Sequence, residues 1–371
     1  MIRVAILGGG LMGRLMAWRL AKLNASLAIS LFDKGSREGE HSAAHIAAAM
    51  LAPLAESIEA TPLVVQLGKH SLSMWQDIVP QLPTSVFMQQ KGSVVVWHGQ
   101  DKPLAQQFSQ HLQRVAGETA QVWQAAELAQ HEPQLAGRFH QAYFLPDEGQ
   151  LDNRQVLHAL ASALEQEQVE CYWQHTVERA DLAQTFDWII DCRGFGAQAT
   201  WHQAAASSRL RGIRGEVARV LAPEVHLNRP IRLLHPRYPL YIAPKENHVF
   251  VIGATQLESE NTAPVSVRSG LELLSALYAV HPAFGEAHIL ELASQLRPTL
   301  HHHNPEIRFH RHQRVIEING LFRHGFMIAP AVSMAATRLA FALFYGTSHP
   351  HYDAETGMAF VEINHAASYS L

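Results

Sequence analysis

Three glycines and one aspartate carry the first chemical signal in the chain. Gly8, Gly10 and Gly13 form G-x-G-x-x-G directly after the apolar run Val4-Ala5-Ile6. A second apolar run, Leu27 to Phe32, stops at Asp33, 20 residues beyond Gly13. Each part has a physical task in holding a dinucleotide. Gly8 permits a tight turn, Gly10 lets the backbone approach a pyrophosphate, and Gly13 lets a helix pack close to the strand. The helix that opens at Leu11 and Met12 presents free N–H groups and a positive dipole end to phosphates. Asp33 is placed to accept hydrogen bonds from the adenosine ribose. Strand, glycines, helix, strand and acid occur in register, and together they predict a dinucleotide site.

The elements that must position this site follow from periodicity and turn residues. Residues 43–53 are dense in small side chains, which let a backbone lie flat against a ligand. Helical spacing is expected over 62–79, ending near Pro80, and over 103–130, with a polar face rich in Gln. A strand is expected from Val86 to Trp97 around Gly92, and a helix from Leu151 to Glu165. Trp188 to Gly196 repeats the pattern of a strand running into a glycine turn. Residues 216–256 are rich in β-formers and predict a sheet. Gly270 to Val280 reads as helix, and the last helix is expected from Pro330 to Tyr345, because proline suits a first helical turn. Two glycine turns separated by sheet-forming sequence imply a nucleotide domain built from several pieces.

Composition narrows the function classes. A chain of 371 residues can bury a large core and divide into two domains. The net charge is −4 and the basic residues are scattered, so nucleic acid is not an expected partner. Cys171 and Cys192 are the only cysteines, which excludes a disulfide scaffold and suits a reducing compartment. No uncharged apolar stretch of about eighteen residues is evident, so no transmembrane segment and a cytoplasmic location are expected. The run His301-His302-His303 sits between prolines in a loop, where three adjacent imidazoles do not converge on one ion; no metal site is expected.

Several segments taken together resemble the D-amino-acid oxidase superfamily of flavoproteins, specifically its glycine oxidase branch. They are Ala47-Ala48-Ala49-Met50-Leu51-Ala52-Pro53, Glu148 to Arg154, Asp191 to Ala197, Leu240 to Pro244 with Val251 to Thr255, Leu296-Arg297-Pro298-Thr299, and Gly320 to Pro330. The resemblance implies an α/β fold: a Rossmann-type FAD-binding domain with an inserted sheet-based substrate domain. It divides the chain into 1–85, 145–212 and 312–371 for the nucleotide, and 86–144 and 213–311 for the substrate. Four features depart from the family pattern: Ala49 where glycine is usual, Ala44 where Ser or Thr is usual, His324 where Asn is common, and the sequence 299–308.

By this resemblance, FAD lies against Gly8, Gly10, Leu11, Met12, Gly13, Asp33, Lys34, Ala48, Ala49, Met50, Gly194, Arg323, His324, Gly325, Phe326 and Met327. It is expected to be noncovalent, because Cys192 is not where covalent relatives place their cysteine. The implied reaction is oxidation of an amine or small amino acid (glycine, sarcosine or a D-amino acid) by hydride transfer to flavin N5. The imine formed hydrolyses to an oxo-acid and ammonia. Arg297 and Arg323 are the implied carboxylate partners, with the Tyr241 hydroxyl as a further donor. Arginine suits this role because its fork makes two parallel charge-assisted bonds. Arg323 also reads as a residue that positions its loop. Oxygen, or a quinone or carrier protein, is compatible as electron acceptor, and a homo-oligomer is compatible with the sequence. A flavoprotein acting on protein or tRNA is the alternative from another class.

Overall fold

The structure is a computed structural model and describes residues 1–23, 26–201 and 208–363; the end of the expected nucleotide segment, 364–371, lies outside them. The N-terminal strand Ile2–Leu7 sits near the middle of a seven-stranded sheet. Leu27–Phe32 and Glu170–Tyr172 extend it on one side, and Trp188–Asp191, Val315–Asn319, Glu306–His310 and Phe360–Glu362 on the other. All neighbours run parallel except Glu306–His310 against Val315–Asn319. A mostly parallel sheet needs covering on its faces. Helices Leu11–Leu23, Pro62–Ile78, Asn153–Gln166 and Gly325–Phe344 supply the apolar side chains of that core.

A second sheet of eight strands has the order His288–Thr299, Arg211–Leu221, Val249–Gly253, Leu240–Pro244, Ile231–Leu234, Ser93–Trp97, Gln141–Leu145 and Gln121–Gln124. Side chains alternate between its faces. Ala218, Val220, Ile252, Ile242 and Ile231 take one face and join the core with Leu273 and Leu277 of helix Val267–Val280. The opposite parity forms a cross-strand row, Val217–Gly253–Tyr241–Arg232. Arg297 pairs with Ile213 and Gln295 with Gly215, which puts Arg297 on the same face as that row.

Several expected elements are relocated. The segment expected as one helix over 103–130 is a helix Lys102–Ala116, a strand Gln121–Gln124 and a helix Ala125–His131. Gly117 ends the first helix in the left-handed region (φ 66°), and the strand then completes the sheet edge. The expected strand from Val86 divides into Met88–Gln89 and Ser93–Trp97 around Gly92, whose φ of 80° is left-handed and where a Cβ would lie 2.3 Å from Phe144 Cε2. Strand Glu306–His310 belongs to the seven-stranded sheet, so the expected boundary at 312 falls after it rather than before it.

The last helix starts at Gly325, not Pro330, and contains Pro330 in its interior. A proline there removes the N–H that would bond Phe326 O. Trp75 Nε1 donates to that carbonyl instead, at 2.7 Å. This helix is also long and apolar enough to cross a membrane, contrary to expectation. It is a core helix here, with 78 % of its most apolar window buried.

Candidate active site

A cavity of about 760 Å³ runs between the two sheets. Among the site residues expected from sequence, Gly8, Gly10, Leu11, Met12, Asp33, Lys34, Ala48, Ala49, Met50 and Gly194 line it, as do Tyr241, Arg297 and Arg323 to Met327. Gly13 does not; it works from behind. A Cβ on Gly13 would lie 1.8 Å from Gly8 O, so no side chain can replace its hydrogen without moving the turn.

The residues at one end fit a dinucleotide. A Cβ on Gly10 would meet nothing nearer than Ser42 Cβ at 3.5 Å, so the backbone stays open to an approaching phosphate. Asp33 accepts the Gly9 N–H at 2.5 Å and the Gly35 N–H at 2.6 Å, which orients its carboxylate and leaves lone pairs for a ribose diol. Arg14, not anticipated from sequence, braces the turn. Its buried guanidinium donates to Gly9 O (2.6 Å), Leu157 O (2.5 Å) and Arg37 O (2.8 Å) beneath Trp173. Burial lowers its pKa to about 10, so it stays charged.

Near the middle of the cavity, the last helix begins at Gly325. The N–H groups of Gly325, Phe326 and Met327 therefore have no acceptor within it. That helix start is suited to hold negative charge on the pyrimidine side of a flavin. Lys245, also unanticipated, holds the small-residue segment from behind: Nζ donates to Ala48 O (2.7 Å), Gln150 Oε1 (3.0 Å) and Leu151 O (2.5 Å). Burial pulls its pKa down to about 7. Cys192 lines the cavity at the glycine turn, and burial, aided by Asp191, pushes its thiol well above the ordinary range.

The other end lies on the eight-stranded sheet. Two glycines make room for its functional side chains. A Cβ on Gly215 would lie 2.3 Å from Arg297 Cζ, and one on Gly253 would lie 2.5 Å from Tyr241 Oη. Burial pushes the Tyr241 hydroxyl up to about 12, so it remains a donor.

Three guanidinium groups line the cavity, and their partners separate them. Arg193 pairs with Asp191 at 2.6 Å. Arg323 pairs with Glu56 at 3.1 Å and with Glu59. Arg297 donates to Thr255 O at 3.0 Å and has no carboxylate partner among the described residues. Burial lowers its pKa, opposed by Tyr241 and Glu56. Burial also works against the charge of Glu56, but Arg323 and Arg232 outweigh it and hold the carboxyl at about 2. Sequence reading missed Glu56 and Arg232, since neither lies in a motif. His324 is buried with Nε2 unpartnered among the described residues, and burial drops its pKa to about 3, leaving a neutral imidazole.

Residues 3–339 match the family model described as FAD dependent oxidoreductase. The putative thiamine biosynthesis oxidoreductase ThiO of Rhizobium etli is 35% identical over 340 residues, 91% of this chain and 96% of that one. The glycine oxidase of Geobacillus kaustophilus is 25% identical over 353 residues, 91% of this chain and 92% of that one. The crystal structure of glycine oxidase from Geobacillus kaustophilus superimposes with a TM-score of 0.80 at 22% identity, covering 97% of this chain and 99% of that chain. The FAD-bound L-α-glycerophosphate oxidase of Mycoplasma pneumoniae shares the fold at a TM-score of 0.73 and 18% identity, covering 97% of this chain and 99% of that chain. The glycine turn, the oriented Asp33 and the helix start at Gly325 thus stand in a chain that belongs to the FAD-dependent oxidoreductase family.

Proposed function

We propose that this enzyme oxidises glycine or a similarly small amino acid, such as sarcosine or D-alanine. One observation carries the reading: Arg297 is a cation facing the cavity beside a neutral tyrosine hydroxyl, with no carboxylate paired directly to it among the described residues. A charged group held in a low-dielectric cleft without a counter-ion favours an anionic ligand. The substrate carboxylate takes the Arg297 fork, and Tyr241 Oη donates to one of its oxygens. These contacts leave the substrate able to turn its Cα–H toward the flavin.

FAD held by the glycine turn, Asp33 and the helix start at Gly325 would supply a two-electron acceptor for the Cα hydride. The amine reacts as the free base, so loss of the Cα hydride leaves the iminium ion with its N–H protons retained, and no protein base is required for the C=N bond to form. Hydrolysis of the imine would give an oxo-acid and ammonia, and with oxygen as terminal acceptor the two electrons would leave as hydrogen peroxide. The name of the Rhizobium etli relative supports thiamine biosynthesis as the setting of the reaction. Cys192 stands in the glycine turn rather than after Arg297-Pro298, which supports noncovalent flavin, and the two unpaired thiols support a cytoplasmic location.

The test is anaerobic titration of the purified yellow protein with glycine, sarcosine and D-alanine, followed by peroxide assay in air. Bleaching and peroxide release by at least one of them are expected. Failure of all three, with bleaching by a larger amine, would overturn the substrate and leave the family intact.

A further inference from the structure

Around Arg323 the ion pairs close on themselves. Arg232 on strand Ile231–Leu234 reaches Glu56 through Nη1 and Glu59 through Nη2, the latter at 2.7 Å. Arg323 reaches the same two carboxylates, Glu56 Oε2 from Nε at 3.1 Å and Glu59 Oε2 from Nη1. Each of the four carboxylate oxygens therefore takes one guanidinium contact. The result is a cycle of two arginines and two glutamates with no net charge. It ties the turn Ser57–Glu59 and its flanking Glu56 to the sheet and to the loop before the last helix. Glu56 and Arg323 form the wall of the cavity that also carries Tyr241 and Arg297.

We propose that this Arg232–Glu56–Arg323–Glu59 ring is the specificity element of the substrate cleft: by neutralising Arg323 and Arg232 internally it leaves Arg297, among the described arginines of the cleft, as the one without a paired carboxylate, and so admits amines with one carboxylate and rejects those with two. This inference rests on the reading of the cleft as an amino-acid site. A second carboxylate entering the cleft would have to break charge-assisted pairs that already satisfy one another, or remain desolvated against Glu56. Discrimination of this kind works by repulsion as much as by attraction.

Iminodiacetate is a direct probe, being glycine with a second carboxymethyl group on nitrogen. In the wild-type holoenzyme, kcat/KM for glycine should exceed that for iminodiacetate by 100-fold or more. Glu59→Gln removes one negative charge from the ring at its more exposed corner and frees guanidinium N–H groups. It should raise the iminodiacetate-to-glycine ratio at least tenfold. Arg232→Met opens the same ring but leaves excess negative charge, and should lower the ratio. A loosening of structure alone would shift both variants in the same direction, and that outcome would overturn the proposal.

A second measurement needs no variant. Perturbation of the flavin spectrum should show acetate binding at least tenfold tighter than malonate; equal binding would overturn the proposal as well. If glycine, sarcosine and D-alanine all fail to bleach the flavin while acetate still outbinds malonate, the substrate reading falls and the ring's role stands.

Discussion

Gly215→Ala displaces Arg297 without deleting it. The glycine lies in the strand Arg211–Leu221 with no left-handed backbone angle, so alanine is conformationally allowed there. The added Cβ would lie 2.3 Å from Arg297 Cζ and Nη2 and 2.7 Å from Nη1. Ordinary van der Waals contact begins near 3.4 Å, so the guanidinium must retreat by about 1 Å. The clash is with the far end of a long side chain, which can swing, so folding stability should change by less than about 0.5 kcal/mol. Catalysis has no such freedom. A 1 Å error in a substrate-positioning group costs on the order of 100-fold, or about 2.7 kcal/mol in transition-state binding. The assay is kcat/KM for the preferred amino acid, with flavin content and urea unfolding measured alongside. A double-mutant cycle isolates the cause: in an Arg297→Ala background, Gly215→Ala should cost almost nothing, because the displaced group is gone. If the loss persists undiminished in that background, or if Gly215→Ala turns over like wild type, the argument that this glycine exists to seat Arg297 is refuted.

Arg297→Ala should lower kcat/KM by about 2–5 kcal/mol for an amino acid. Arg297→Lys should recover only part of it, since a point charge cannot reproduce the fork; an equal loss on a decarboxylated amine would assign Arg297 to loop bracing. Glu148 is buried, accepts the N–H groups of Leu54 (2.6 Å) and Ala55 (2.9 Å), and contacts the Ser93 hydroxyl; burial raises its pKa to about 7. A folded-state pKa above the unfolded value means the contribution is fully present below about pH 4.5 and declines as pH rises toward 7, by on the order of 2–3 kcal/mol. Glu148→Gln mimics the protonated form and should flatten that slope in thermal melts from pH 4.5 to 7; an unchanged slope contradicts the assignment. Trp75→Phe should cost about 1–3 kcal/mol in urea unfolding, because Phe326 O then has neither Trp75 nor an amide from Pro330. Adding Pro330→Ala should restore part of the loss, and a purely additive double variant would show that the indole bond is not the cause.

The strand–glycine turn–helix unit expected to hold a dinucleotide was legible in the sequence because its parts are local. A glycine turn between a strand and a helix is specified by residues within one short segment, and its acid follows at the next strand end. Gly8, Gly10, Gly13 and Asp33 accordingly occupy the geometry that their spacing predicts. The substrate end was legible only in part. Tyr241 and Arg297 could be picked out by resemblance, but nothing local indicates that Gly215 and Gly253 clear the space for them. That follows from cross-strand register, which aligns Tyr241 with Gly253 and sets Arg297 and Gly215 on one sheet face although 82 residues separate them in the chain.

The charge state of the cleft was decided entirely by tertiary structure. Arg323 reads in sequence as a carboxylate partner or a loop-positioning residue, and folding brings Glu56 and Glu59 to it, carboxylates that Arg232 shares. The interior proline of the last helix is the same lesson. Local preference put Pro330 at a helix start, whereas Trp75, 251 residues from Phe326, supplies the donor that lets the helix begin one turn earlier. Sequence determined which backbone turns could form, because those depend on neighbours in the chain. Which side chains stay paired and which is left to meet a substrate depends on distances between segments that only folding sets.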